Sequence, residues 1–202
     1  YVVANADESE PGTFKDREIM ESNPFQFLEG MAIAAYATGA NVAYIYLRGE
    51  FWAVAASLDK KITDMEKAGF LGDKLFGTDF SLRIHTHLGA GAYICGEETA
   101  LLESIEGKRG QPRIRPPFPA VYGLYGKPTV INNVETLTNV PLIIEKGSDW
   151  YKALGTDDSA GVKIFSLSGR VNQPGNYELP FGITFRELIY NYGGGIIDGR
   201  PI

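Results

Sequence analysis

The stretch Gly89-Ala-Gly-Ala-Tyr-Ile-Cys-Gly-Glu-Glu-Thr99 joins a predicted strand to a predicted helix. Glycine has no Cβ, so backbone there can approach a ligand closely. The helix predicted to begin at Gly96 would direct its unpaired N–H groups into the same gap. The stretch therefore indicates a binding site for a nucleotide or a flavin. By itself it is equally typical of a tight turn whose two carboxylates, Glu97 and Glu98, favour the helix dipole.

Strands and helices alternate around this stretch, which predicts an α/β unit with a mainly parallel sheet. The predicted strands are 1–4, 42–47 and 80–87, and the predicted helices are 25–38, 50–68 and 96–105. Residues 132–136 are predicted to open a further helix, after a Gly/Pro-rich loop over 107–130. Ligands of such sheets usually bind at the carboxyl ends of the strands. We therefore expect the acidic loop after the first strand and the glycine run to face one crevice.

After about Gly155 the pattern changes to two predicted strands, 162–168 and 177–179, and a helix over 184–190. The ββα order is the opening of a β-grasp unit. We therefore predict two domains, residues 1–155 and residues 156–202.

Composition limits the classes of function. The chain has 202 residues, 44% hydrophobic and 22% charged, and a net charge of −6. That acidic balance argues against nucleic acid as a partner, because phosphate binding needs a basic surface. The single cysteine, Cys95, excludes an intramolecular disulfide, suggests a reducing compartment and cannot alone hold zinc or an iron–sulfur cluster. No membrane span or signal peptide is expected. Both ends resemble cut ends, so we expect a fragment of a longer protein.

Several polar groups are candidates for a site. The loop Asn5-Ala-Asp-Glu-Ser-Glu10 is either a solvated acidic turn or a set of acceptors for ribityl or ribose hydroxyls and a flavin edge. His85 and His87 alternate on a strand, but without an evident third metal ligand they are interpreted as structural. Cys95 is interpreted as a small packed side chain. Four basic residues form a short stretch that is either a wet loop or a phosphate contact: Lys108, Arg109, Arg113 and Arg115.

Four ordered motifs, residues 5–17, 89–101, 116–120 and 126–136, together closely resemble the flavin- and NADH-binding subunit of respiratory complex I. The same module occurs in NAD-reducing hydrogenases, NAD-linked formate dehydrogenases and electron-bifurcating enzymes. The resemblance implies a Rossmann-like parallel-sheet domain that binds FMN, followed by the start of a ubiquitin-like β-grasp (SLBB) domain.

The resemblance also implies site residues. Those expected to bind the cofactor are Asn5, Asp7, Glu8, Tyr93, Gly96, Glu97, Glu98, Asn132, Asn133 and Thr136. Those expected to bind NADH are Glu10, Glu98, Arg115 and Phe118. The family usually has lysine where this chain has Arg115, so the charge is kept and the geometry is not. No metal ligand and no catalytic acid or base is expected, since hydride transfer needs none.

The implied activity is hydride transfer from NADH to FMN, followed by single-electron transfer to an iron–sulfur chain that ends at quinone. The family's phosphate loop would precede Tyr1, and its four cysteines for a [4Fe–4S] cluster lie in a C-terminal domain outside this chain. Implied partners are other redox subunits, including a thioredoxin-like [2Fe–2S] protein, without membrane insertion. The implied location is cytoplasmic, peripheral on the inner face of the membrane. Alternatives are a diaphorase subunit of a hydrogenase or formate dehydrogenase, a non-catalytic fragment, or a β-grasp binding module.

Overall fold

The computed structural model describes residues 1–201, and the chain forms two compact units. The first unit contains Tyr1–Glu10 and Asp16–Pro141. The second contains Pro11–Lys15 and the chain from Leu142 onward.

A four-stranded, all-parallel sheet forms the centre of the first unit, in the order β3-β2-β1-β4. The strands are β1 (Val2–Ala6), β2 (Val42–Leu47), β3 (Arg83–Leu88) and β4 (Val130–Asn133). The Rossmann-like α/β prediction is thereby confirmed. Its helix start at residue 132 is wrong, because Asn132 and Asn133 pair with Ala4 and Asn5 as the end of β4.

Helices cover the sheet of the first unit. They are α1 (Lys15–Ser22), α2 (Pro24–Thr38), α3 (Trp52–Lys67), α4 (Glu98–Ile105) and α5 (Val134–Lys146), which continues into the second unit. The helix predicted from Gly96 begins two residues later, because Tyr93–Gly96 forms a 3₁₀ turn. The sequence pattern predicts no helix before residue 25, so α1 is a helix that it misses.

The central strands are apolar along their length, as strands covered on both faces must be. Val2, Val3 and Ala4 of β1 are fully buried. On the α4 face, one cluster contains Val3, Tyr46, Cys95, Leu101, Leu102, Ile105 and Leu124. The interpretation of Cys95 as a small packed side chain is confirmed, since it is 4% exposed within this cluster.

Strand β3 carries His85 and His87 beside two tyrosines of β2. His85 packs against Tyr44, and His87 stacks on Tyr46 with ring centroids 5.6 Å apart. Among residues 1–201, no group of three or more His, Cys, Asp or Glu side chains could hold a metal ion. The structural interpretation of the two histidines agrees with this packing.

The second unit contains an antiparallel hairpin of β5 (Val162–Leu167) and β6 (Gly175–Pro180). Helix α6 (Ser148–Lys152) precedes it, and α7 (Phe185–Glu187) follows and continues as a π-helical turn over Leu188–Tyr192. Thr184 and Glu187 cap α7 reciprocally. The predicted ββα order is present. Within the described part of the chain, no helix is long and apolar enough to cross a membrane.

Candidate cofactor site

Three loops leave the carboxyl edge of the parallel sheet. Asp7–Glu10 follows β1, Arg48–Glu50 follows β2, and the glycine run from Gly89 follows β3. Loops at this edge are the usual ligand-binding elements of open α/β sheets. The contacts between these loops therefore define the candidate site.

The loops after β2 and β3 touch through backbone. A Cβ on Gly49 would lie 2.7 Å from the carbonyl oxygen of Gly89, and a Cβ on Gly89 would lie 2.3 Å from the hydroxyl oxygen of Tyr46. Neither position has room for a side chain. The glycines of this run therefore permit close packing of the edge, in addition to any approach of a ligand.

Arg48 connects the loops after β1 and β2. Its Nη1 donates to the carbonyl oxygen of Glu8 at 2.9 Å, while Nε and Nη2 donate to the two carboxylate oxygens of Glu50 at 3.0 Å each. The hydrogen bonds from Arg48 lower the pKa of Glu50 to about 2. A bidentate arginine of this kind gives geometric precision as well as attraction.

Asp7 has one carboxylate oxygen that is buried without a partner. Oδ1 accepts from Ser9 Oγ at 3.2 Å, whereas Oδ2 has no hydrogen bond. A Cβ on Gly96 would lie 3.4 Å from that oxygen. Burial raises the pKa of Asp7 above its ordinary value, although Ser9 and Arg48 oppose the shift. A buried acceptor without a donor costs free energy, which a ligand donor would recover.

Glu97 has the same asymmetry at the start of α4. Its Oε2 accepts from Thr99 N at 2.9 Å, Ala100 N at 2.9 Å and Thr99 Oγ1 at 2.5 Å. Its buried Oε1 accepts no hydrogen bond, although Arg115 Nη2 lies 3.3 Å away. Partial burial alone would raise the pKa of Glu97, but the three hydrogen bonds and the Arg115 charge lower it below its ordinary value.

Two of the residues expected to bind NADH, Arg115 and Glu10, contact residues that follow β3. Arg115 Nη1 pairs with Glu98 Oε1 at 2.6 Å, and Tyr93 donates to Glu10 Oε2 at 2.6 Å. The hydrogen bond to Glu10 raises the pKa of Tyr93. Phe118 is 57% exposed. It lies in the Gly/Pro-rich loop that the sequence predicts over 107–130, here called the proline-rich loop. The glycine run and the acidic loop therefore meet, as the order of strands and loops predicts.

Glu8, by contrast, has a structural partner. Its side chain is 6% exposed, and its Oε1 and Oε2 accept from the backbone N–H groups of Asp16 and Arg17 at 2.9 and 3.1 Å. The carboxylate thus caps the first turn of α1. Flavin binding by Glu8 remains a prediction. The carboxylate would have to bind the flavin while it keeps its two hydrogen bonds to α1.

The β4–α5 junction holds the remaining predicted residues. Asn133 Oδ1 accepts from Glu135 N at 2.9 Å, and its Nδ2 donates to Asp16 Oδ2 at 2.7 Å. Thr136 is exposed in the first turn of α5, and Asn132 is half-buried at the end of β4. Because β4 pairs with β1, this junction belongs to the same edge of the sheet as Asp7.

Arg113 makes several contacts near the site, although the sequence identifies it only as part of a basic stretch. Its guanidinium binds Glu103 Oε1 at 2.5 Å, Glu106 Oε1 at 2.8 Å and the Gly123 carbonyl at 3.0 Å. These bonds fasten the proline-rich loop to α4. Glu103 on α4 and Glu106 directly after it face a loop arginine, but the sequence spacing alone does not predict that these residues pair.

The free acceptor atoms at this edge match the hydrogen-bond donors of a flavin. Asp7 Oδ2 and Glu97 Oε1 are both buried acceptors without hydrogen bonds; the first lies 3.4 Å from a Cβ on Gly96, and Glu97 is the next residue in the chain. A flavin mononucleotide offers a ring N–H and ribityl hydroxyls as donors, which such acceptors bind. The edge therefore offers acceptors for the donor groups of FMN.

A separate apolar groove of about 880 Å³ lies between α2, the end of α3 and the 70–80 segment. Its lining contains exposed aromatic side chains, namely Phe25, Tyr36, Phe70 and Phe76. None of the predicted site residues lines it. Its size does not make it the candidate cofactor site, because it lacks the convergent polar groups of the strand edge.

Comparisons with known proteins show similarity along the whole chain. One NADH-quinone oxidoreductase subunit of Rhizobium meliloti is 55% identical over all 202 residues, and the corresponding NADH-quinone oxidoreductase subunit of Aquifex aeolicus is 54% identical. The chain covers 48% and 47% of those two proteins, so it spans about half the length of the curated relatives it matches.

A solved structure of an NAD⁺-reducing [NiFe]-hydrogenase in the air-oxidised state is 43% identical, with a TM-score of 0.87. The likeness covers 97% of this chain and 32% of that one. An SLBB domain model matches residues 164–201, and the Nuo51 FMN-binding domain model matches residues 1–142. The chain therefore belongs to the Nuo51 FMN-binding domain family.

Proposed function

We propose that this chain is the FMN- and NADH-binding part of an NADH dehydrogenase flavoprotein subunit of the complex I type. The observation that supports it best is the pair of buried carboxylate oxygens that accept no hydrogen bond, Asp7 Oδ2 and Glu97 Oε1, in a chain that matches the Nuo51 FMN-binding domain model. When bound, FMN supplies a group that accepts a hydride and donates single electrons. The protein binds and orients, and no side chain is proposed as an acid or base.

The binding roles divide between two groups of side chains. Asn5, Asp7, Glu8, Tyr93, Gly96, Glu97, Glu98, Asn132, Asn133 and Thr136 are proposed to hold the cofactor. Glu10, Glu98, Arg115 and Phe118 are proposed to bind NADH, with Phe118 stacking on a ring. Carboxylates near the ribose would reject the additional phosphate of NADPH by repulsion.

The setting of the domain is also proposed from its family. We infer a peripheral subunit of a multisubunit complex on the inner face of the membrane, with a thioredoxin-like [2Fe–2S] partner. A [4Fe–4S] cluster is expected in the longer protein, and residues 1–155 and 156–202 are proposed as separate domains. The diaphorase of an NAD-reducing hydrogenase is the second candidate, because a hydrogenase of that kind has the same fold at 43% identity.

An FMN titration of the intact protein tests the proposal, with flavin fluorescence as the readout and NADH added afterwards. Quenched flavin fluorescence followed by NADH-driven bleaching of the flavin absorbance is the expected result. Failure of the wild-type protein to bind FMN would refute the cofactor assignment. Binding without NADH-driven bleaching would refute the oxidoreductase assignment and favour a binding module.

A further inference from the structure

Thr99 is a buried hydroxyl that connects the proline-rich loop to the Glu97 carboxylate. The residue is 1% exposed. Its Oγ1 accepts from Arg113 N at 2.7 Å and lies 2.5 Å from Glu97 Oε2. A backbone N–H can only donate, and a hydroxyl has one proton. The hydroxyl proton of Thr99 therefore points at Glu97.

The consequence is an asymmetric carboxylate. Three donors converge on Oε2 of Glu97, namely Thr99 N, Ala100 N and Thr99 Oγ1. The other oxygen, Oε1, accepts no hydrogen bond and has one ionic contact, with Arg115 Nη2 at 3.3 Å. Rotation of the carboxylate would break the bonds to Oε2, so Oε1 stays the oxygen with free hydrogen-bonding capacity, beside the Arg115 guanidinium.

Arg113 fixes the other end of this connection. Its guanidinium is bound by Glu103, Glu106 and the Gly123 carbonyl, which holds its backbone N–H against Thr99. The Arg113 side chain is 20% exposed. The side chains of its partners Glu103 and Glu106 are 19% and 7% exposed. Partly buried arginine–carboxylate pairs of this geometry are more rigid than exposed ones.

We propose that Thr99 and Arg113 are positioning residues that hold the Glu97 carboxylate so that Oε1 is the oxygen offered to bound FMN. This inference rests on the proposed function for the identity of the ligand. It adds two residues that act through Glu97 and do not touch the cofactor themselves.

Thr99→Val tests the hydroxyl at nearly constant volume. In the intact protein, we expect the FMN dissociation constant to rise roughly tenfold, as for a lost hydrogen bond to a charged group. Because the Thr99 hydroxyl helps to keep Glu97 ionised, the acidic limb of the binding profile should also move to higher pH. Thr99→Ser, which keeps the hydroxyl, should restore both properties.

Thr138→Val is the matched control, since Thr138 is also buried and its hydroxyl donates to the Val134 carbonyl at 2.8 Å. It should change neither the FMN affinity nor the pH profile. Arg113→Gln should weaken FMN binding in the same direction as Thr99→Val, with exposed Arg109→Gln as its control. If Thr99→Val does not fold, Thr99→Ala replaces it.

A measurement without cofactor separates this inference from the proposed function. Carbon NMR of the Glu97 carboxyl should show a higher pKa in Thr99→Val than in the wild type or in Thr138→Val. An unchanged Glu97 titration, or an FMN affinity and pH profile equal to those of Thr138→Val, would overturn the inference. A wild type that binds no FMN, together with the expected NMR shift, would refute the cofactor and leave the positioning of Glu97 intact.

Discussion

Asn5 Nδ2 donates a 2.8 Å hydrogen bond to the carbonyl oxygen of Gly96, 91 positions further along the chain. The bond joins the end of β1 to the glycine run after β3, although β2 lies between those strands in the sheet. The same asparagine accepts from Asp7 N through Oδ1 at 3.2 Å. One side chain therefore holds the backbone next to both carboxylates, Asp7 and Glu97, that have an oxygen without a hydrogen bond. The acceptors are in place before a ligand arrives, which lowers the cost of binding.

Asp7→Asn is expected to stabilise the ligand-free protein and to weaken FMN binding roughly tenfold or more, as for a lost charged hydrogen bond. Burial raises the pKa of Asp7, so its ionisation opposes folding. That destabilisation appears as pH rises from the ordinary aspartate pKa towards the raised pKa of the folded state. The uncharged amide of Asp7→Asn removes this destabilisation. Urea unfolding and FMN titration at neutral pH measure the two effects, with exposed Asp157→Asn as control. A lower free energy of unfolding for Asp7→Asn would contradict this prediction.

Glu8→Ala is expected to lower the free energy of unfolding by about 1–3 kcal/mol, because two N–H groups at the start of α1 lose their acceptor. Glu8 Oε1 and Oε2 accept from Asp16 N and Arg17 N. Glu21→Ala in the same helix is the control, since its carboxylate makes only an exposed pair with Arg17. Urea unfolding of the ligand-free protein gives the comparison. Equal stability of the two variants would show that the cap contributes nothing.

Gly89→Ala is expected to destabilise the protein by about 1–3 kcal/mol through overpacking. The added Cβ would lie 2.3 Å from the Tyr46 hydroxyl oxygen and 2.8 Å from Cζ, and Tyr46 is fixed by a 2.9 Å bond to Ser104. Gly175→Ala is a suitable control, because the nearest atom would be 4.0 Å away. Thermal unfolding of both variants measures the difference. If Tyr46→Phe in the Gly89→Ala background recovers part of the loss, the hydroxyl contact is the cause.

The sequence predicts most of the first unit because its strands are short apolar runs bounded by turn residues. Strand β2 is predicted at its observed bounds, residues 42–47. Strand β4 is missed because two of its four residues are asparagines, which are typical of helix caps. Asn133 does cap α5, through its contact with Glu135 N, while it also pairs in the sheet. Local chemistry identifies the cap, and only the tertiary pairing reveals the strand.

The site residues are predicted less completely than the strands that carry them. Chain order alone brings the acidic loop and the glycine run to one edge. It does not show that the Glu8 carboxylate accepts hydrogen bonds from the first turn of α1, because that helix is absent from the predicted pattern. Nor does it single out Thr99 and Arg113, whose contact spans 14 positions and depends on how the proline-rich loop folds back. Contacts of this kind are set by tertiary structure.

Glu97→Gln is expected to raise the midpoint potential of the bound flavin. The pKa of Glu97 is held below its ordinary value, so the carboxylate is ionised at neutral pH. A negative charge beside the ring disfavours reduction to the anionic flavin, and the neutral amide removes that charge. Potentiometric titration of the FMN-loaded protein measures the shift, with Glu21→Gln as a remote control. The sign should persist at higher ionic strength, because Oε1 is buried and therefore weakly screened. A midpoint potential equal to that of Glu21→Gln would mean that the Glu97 charge does not reach the ring.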